Sequence, residues 1–213
     1  PGRHITVRAC ARRGVTHSQV VGGVSGRACA DRIVDSGSRV LITADAYYRS
    51  GTLLDHKQNA DIAVDLAAKD GQVVDKVLVW QRYPGKTSAP TPMVEGRDFF
   101  VNDVIKEFYG ARVEPEQMNA EDPLFLMYTS GTTGKPKGVL FSHAANLAVA
   151  QGLIIEGDMD RDDVVLISVP MFHNAGLNAL LLPCLMMGAT AHIMGGGFDP
   201  EEIMTVVAAH RIS

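Results

Sequence analysis

Tyr128-Thr129-Ser130-Gly131-Thr132-Thr133-Gly134-Lys135-Pro136-Lys137-Gly138-Val139 is the stretch on which the reading of this chain turns. Residues 129–138 hold four hydroxyl side chains, three glycines and two lysines. They follow the apolar run Leu124-Phe125-Leu126-Met127-Tyr128, which reads as a buried strand. Glycines let a backbone approach a ligand closely. Successive loop N–H groups can then converge on an anion. Hydroxyls add donors, and lysines offset charge. A strand feeding such a loop is chemically suited to a polyphosphate.

Working outward, helix signals alternate with short β-rich runs. Helices are expected from Ile5 to Arg13 and from a Ser25 cap to Ser36, the latter ended by Gly37. Asn59 is expected to cap a helix carrying Ile62, Ala63, Leu66 and Ala67 and stopping at Gly71. Asp98 is expected to start a helix with Phe100, Val104 and Phe108 on one face and Gly110 as its stop. Further helices run from a Ser142 cap to about Ile155, from Asn174 to Met187, and from Asp199-Pro200-Glu201-Glu202 onward. Strands are expected at 17–21, 39–43, 76–80, 164–168 and 189–194, and residues 81–97 read as a loop. Repeated strand–helix units argue for an α/β fold, a layered, mostly parallel sheet with flanking helices. No internal repeat or dividing linker is visible.

Bulk properties exclude several classes. The chain has 213 residues, 46% hydrophobic and 21% charged, with net charge −4. That is enough for a sizeable core and gives no basic excess for nucleic acid. Three widely spaced cysteines, Cys10, Cys29 and Cys184, suggest neither a disulfide framework nor a zinc site, and no metal ligand set is assigned. Free thiols fit a reducing cytoplasm, the expected location. No Asp, Glu, Lys or Arg occurs from 164 to 198, but Pro170, Asn174, Asn178, Pro183 and Gly188 interrupt that segment. A spanning helix needs about 20 predominantly apolar residues in a row, so no membrane span is expected.

The phosphate-type loop is not a Walker A loop. Its glycine spacing is shorter, and Pro136 stands where a Mg²⁺-binding hydroxyl would be required. The ordered string resembles the phosphate-loop signature of the AMP-forming acyl-CoA synthetases, members of the adenylate-forming ligases. The runs 17–25 and 40–45, together with Ala30-Asp31-Arg32-Ile33 and Met118-Asn119-Ala120-Glu121-Asp122-Pro123, look like the acetyl- and propionyl-CoA synthetases. After Gly138, Val139-Leu140-Phe141-Ser142-His143 and Pro170-Met171-Phe172-His173-Asn174-Ala175-Gly176-Leu177 look more like medium- or long-chain acyl-CoA synthetases.

The resemblance implies a carboxylate that attacks the α-phosphorus of ATP with Mg²⁺, giving acyl-adenylate and pyrophosphate. CoA then takes the acyl group and AMP leaves. It implies that Thr129, Ser130, Gly131, Thr132, Thr133 and Gly134 grip the β- and γ-phosphates, with Lys135 and Lys137 adding positive charge. His173 would line the acyl-adenylate pocket, with a core histidine as the plainer reading. Arg49 would meet the CoA 3′-phosphate, or be an exposed loop arginine; Thr52 stands where a second arginine is usual. Gly22 and Gly23 match glycines beside the pantetheine path, although Val21 and Val24 replace the usual phenylalanines. Partners are thus a small carboxylate, ATP and CoA, with acetate- or propionate-like acids ahead of longer ones. The sequence holds no later motif for Mg²⁺ or ribose. Residues 1–213 are therefore expected to be an internal part of the family's large N-terminal domain, without the small C-terminal domain. Alone they are expected not to complete either half-reaction, and a non-catalytic truncated product is the alternative.

Overall fold

The computed structural model describes residues 2–49, 51–129, 137–171, 173–195 and 199–213. In chain order the elements are α1 (Gly2–Arg12), β1 (His17–Ser18), α2 (Gly26–Ser36), β2 (Val40–Ala44), β3 (Ala46–Arg49), β4 (Thr52–Asp55) and α3 (Lys57–Lys69). There follow β5 (Lys76–Trp80), β6 (Asp98–Phe100), α4 (Val101–Glu107), β7 (Pro123–Tyr128), β8 (Gly138–Ser142) and α5 (His143–Glu156). The last elements are β9 (Val164–Ile167), a π-helix (Ala175–Leu181), α6 (Leu182–Met187), β10 (Thr190–Ile193) and α7 (Pro200–His210). The fold is α/β. The chain divides into two compact units, Pro1–Gln117 with Leu126–Val139, and Met118–Phe125 with Leu140–Ser213.

In the first unit, β2, β5 and β6 form a parallel sheet in the order β2-β5-β6, with Leu41 opposite Val77 and Val77 opposite Asp98. Val77 and Val79 on β5 are fully buried. They pack with Cys29, Ala30 and Ile33 of α2 and Ala63, Val64 and Ala67 of α3. Small residues let the two helices approach closely. At Gly26 a Cβ would fall 2.5 Å from Ile62 Cγ2, so the helix contact requires glycine there. Ser25 caps α2 by accepting from the Ala28 N–H, and Gly37 ends it in the left-handed region, as the sequence implies.

Asp45 organises the loops beyond β2. Its buried carboxylate accepts the N–H groups of Ala46, Arg82 and Tyr83, and its carbonyl accepts those of His56 and Lys57. One residue thereby fixes the antiparallel β3–β4 hairpin, the start of α3 and the turn after β5.

Several expectations change. Helix α3 begins at Lys57 with His56 at its cap position, and Asn59 lies inside the helix, its side-chain amide donating to the Val24 carbonyl. Asp98 opens a strand rather than a helix, because β6 pairs with β5 and the Asp98 carboxylate is held by Lys57 and Arg97. The helix follows only at Val101. The strand at 17–21 shortens to His17–Ser18, and the β3–β4 hairpin and β8 were not expected.

In the second unit, β9 and β10 pair in parallel from Val164–Thr190 to Ile167–Ile193. Phe125 and Phe141 stack at 4.6 Å between ring centroids. Ser142 caps α5 through the Ala145 N–H. Asp199 caps α7 through Glu201 and Glu202, with Pro200 in the first turn, as read from the sequence. The helix expected over 174–187 is a π-helix for its first half. Parallel pairing is thus spread over two small sheets, β2-β5-β6 and β9-β10, and a further sheet has the order β1-β7-β8. Among the described residues, no helix is long and apolar enough to cross a membrane.

Candidate functional site

The loop signature is carried by the β7–β8 connection. Thr129 and Lys137, its described ends, are joined directly. The Thr129 N–H donates to the Lys137 carbonyl at 3.1 Å, and the Lys137 N–H donates to Thr129 Oγ1 at 3.4 Å. Both residues are exposed, which leaves the lysine ammonium open to a ligand. Ser130, Gly131, Thr132, Thr133, Gly134 and Lys135 lie outside the described residues.

Side chains from α2 reach the base of this connection. Tyr128 Oη donates to Asp35 Oδ2 at 2.6 Å, and the Arg32 guanidinium lies 5.2 Å from the Tyr128 ring centroid. Burial and then the Asp35 hydrogen bond push the Tyr128 phenol well above its ordinary value. The hydroxyl therefore keeps its proton and its donor role throughout the neutral range. Gly138 lies against the same pair. A Cβ there would stand 3.0 Å from Leu126 Cδ1, 3.3 Å from Tyr128 Cε1 and 3.4 Å from Asp35 Oδ2.

Gly22 and Gly23 form a turn just before the Ser25 cap, and Gly23 has φ of +89°. A Cβ on Gly22 would lie 3.8 Å from the Tyr47 ring, so this turn packs on β3. Arg49 ends β3, two residues beyond Tyr47 and opposite Thr52 across the hairpin. Its side chain lies outside the described residues, as do Ser50 and Phe172. The Gly22-Gly23 turn and the backbone of Arg49 are thus attached to one strand. An 11-residue helix is about 16 Å long. That separates the glycine turn at the head of α2 from Asp35 near its foot.

His173 belongs to the second unit and is exposed. Its N–H donates to the Pro170 carbonyl at 3.0 Å, and its Nδ1 accepts the Ala175 N–H at 3.2 Å. In the neutral ring the proton then sits on Nε2, a donor. The π-helix that follows is the kind of local insertion often found at functional sites. A Cβ at Gly176 would fall 2.7 Å from the Pro170 carbonyl oxygen, so only glycine allows this turn.

The sequence profile of the AMP-binding enzyme family matches residues 3–213. The chain belongs to the AMP-binding enzymes. It is similar to the acetyl-coenzyme A synthetase of Citrobacter koseri, 38% identical over all of this chain and 32% of the relative. It is also similar to the 3-hydroxypropionyl-coenzyme A synthetase of Sulfurisphaera tokodaii, 47% identical over 95% of this chain and 30% of the relative. The acetyl-coenzyme A synthetase of Bartonella quintana is 49% identical over 65% of this chain and 21% of the relative. The chain thus spans between a fifth and a third of the length of these curated relatives.

In this AMP-binding enzyme the sequence reading missed Tyr128 and Asp35 as a pair. Tyr128 reads as the last residue of an apolar strand and nothing in the sequence singles out Asp35; no spacing links residues 93 apart. Among the described residues, no group of three or more His, Cys, Asp or Glu side chains is arranged for a metal ion.

Proposed function

We propose that this chain is part of the large domain of an ATP-dependent acid–CoA ligase, with residues 1–213 contributing its phosphate loop and part of its CoA path. The carboxylate attacks the α-phosphorus of ATP and pyrophosphate leaves; the CoA thiol then attacks the acyl carbon and AMP leaves. The single observation that carries this reading is the ordered string 128–139 between two strands, in a chain of the AMP-binding family.

Thr129 to Gly134 hold the β- and γ-phosphates, and Lys135 and Lys137 neutralise charge that develops on the leaving pyrophosphate. The exposure of Lys137 supports that role. Mg²⁺ accompanies ATP, held chiefly by phosphate oxygens and water. His173 lines the acyl-adenylate pocket and offers the Nε2–H as donor. Arg49 meets the 3′-phosphate of CoA, for which a guanidinium is well suited. Gly22 and Gly23 leave room for the pantetheine arm.

The acid is small, of the acetate or propionate kind. The names of the relatives, acetyl- and 3-hydroxypropionyl-coenzyme A synthetases, support this. The Pro170–Leu177 run favours a second reading, a medium- or long-chain acid. Substrate-dependent pyrophosphate exchange, measured on the native polypeptide with acetate, propionate and octanoate, separates the two. Exchange with none of them would remove the ligase reading. The isolated 213 residues are expected to complete neither half-reaction and to form no thioester.

A further inference from the structure

We propose that Tyr128 and Asp35 are positioning residues for the 129–137 connection, and that helix α2 fixes the two ends of that connection through one side-chain contact. The functional meaning of this role rests on the phosphate-binding reading above; the role itself rests on geometry. Tyr128 immediately precedes the connection and Gly138 immediately follows it. The Tyr128 hydroxyl is anchored to Asp35 at 2.6 Å. The same ring and the same carboxylate oxygen bound the space at Gly138, at 3.3 and 3.4 Å from where a Cβ would stand. One aromatic side chain therefore belongs to one flank and borders the space at the other, and a helix carboxylate holds its hydroxyl.

The strand pairing of β7 with β8 already holds the flanks together. Pairing of β7 with β1 ties them to one short strand of the unit. The Tyr128–Asp35 bond ties them in addition to α2, which is locked into the core by Cys29, Ala30 and Ile33. A binding loop works best when side chains on rigid elements hold its ends. The Arg32 guanidinium beside the ring adds a second contact from the same helix.

The test uses the native polypeptide with Tyr128→Phe, Asp35→Asn, Asp35→Ala and Gly138→Ala. Amide hydrogen exchange is read at Thr129 and Lys137, with Val77 and Val79 as internal controls. Loss of a charge-assisted bond is expected to speed exchange at Thr129 and Lys137 about tenfold in Tyr128→Phe and Asp35→Ala. Asp35→Asn keeps an acceptor oxygen and is expected to stay near wild type. Gly138→Ala keeps both partners but crowds them, and is expected to behave like Tyr128→Phe. Val77 and Val79 should not change. Unchanged exchange in Tyr128→Phe overturns the proposal; so does equal speeding at all four amides, which means a general loss of stability. MgATP binding is measured in parallel. Weaker binding by Tyr128→Phe and not by Asp35→Asn extends the role to phosphate. A wild-type native polypeptide that binds no MgATP counts against the ligase reading, and the exchange result still decides the positioning role.

Discussion

The Lys57 ammonium lies 2.7 Å from the Asp98 carboxylate, with 1% and 0% of the two side chains exposed. Asp61 and Arg97 complete the cluster, and the Val94 N–H donates to Asp98 Oδ2, the oxygen that Lys57 also meets. Burial alone would raise the Asp98 carboxyl. Hydrogen bonds from Arg97, Lys57 and the Val94 N–H outweigh it and bring the group down to about 2.

Acid should therefore destabilise the first unit in a defined window. The folded-state value lies below the ordinary 3.8, so the stabilisation is complete above about pH 4 and fades as pH falls toward 2. A shift of this size corresponds to roughly 2 kcal/mol. Urea midpoints measured from pH 5 down to pH 2 should fall in the wild type, and the fall should be smaller in Asp98→Asn.

Lys57→Met tests the same cluster from its other side. Removing one partner leaves a buried carboxylate with fewer donors and should cost about 3 kcal/mol. Chemical denaturation reads the loss. Replacing both members, Lys57→Met with Asp98→Leu, should cost less than Lys57→Met alone, because no charge is stranded.

Gly26→Ala should weaken the α2–α3 contact. The added methyl meets Ile62 Cγ2 at 2.5 Å and the Asn59 carbonyl oxygen at 3.4 Å. Overpacking of this kind costs about 1–3 kcal/mol. Ile62→Ala in the same chain should recover part of the loss. Additive effects in the double-mutant cycle would show that the two sites do not share this space.

Gly176→Ala should disturb the second unit more severely, since the clash is with backbone at Pro170 and no side chain can swing away. The expected readout is a loss of about 2 kcal/mol or more. The imidazole resonances of His173 should shift with it, because its turn is closed through Pro170 and Ala175.

Kinetics on the native polypeptide should separate the two ends of the reaction. Arg49→Ala is expected to raise KM for CoA by roughly tenfold while leaving pyrophosphate exchange unchanged, the loss of one charged contact to phosphate. His173→Ala is expected to slow pyrophosphate exchange and leave KM for CoA alone. An unaltered CoA KM in the first, or unaltered exchange in the second, removes that residue from the site.

Much of the fold was legible because local chemistry and tertiary structure agree. Ser25, Ser142 and Asp199 cap the helices they were expected to cap. Lys76–Trp80 is a strand end to end. The failures share one cause, distant partners overriding local preference. Asp98 and Asn59 both look like helix caps, but one is claimed by Lys57 and Arg97 and the other by Val24. The site shows the same division. The 128–139 string announces itself by composition, whereas the Tyr128–Asp35 bond and the Asp45 hub join residues that no periodicity connects.

The division of the chain has a consequence for how such a protein can be rearranged. Leu126–Val139 belongs with Pro1–Gln117 although eight residues of the other unit, Met118–Phe125, intervene. A recombination junction near residue 117 would carry α2 away from the tyrosine it orients and leave each daughter gene with half of the contact. Exchange between relatives that kept the contact would need one crossover before α2 and another beyond Val139. Inheritance of the glycine-rich connection is thus tied to inheritance of a helix encoded about a hundred codons upstream.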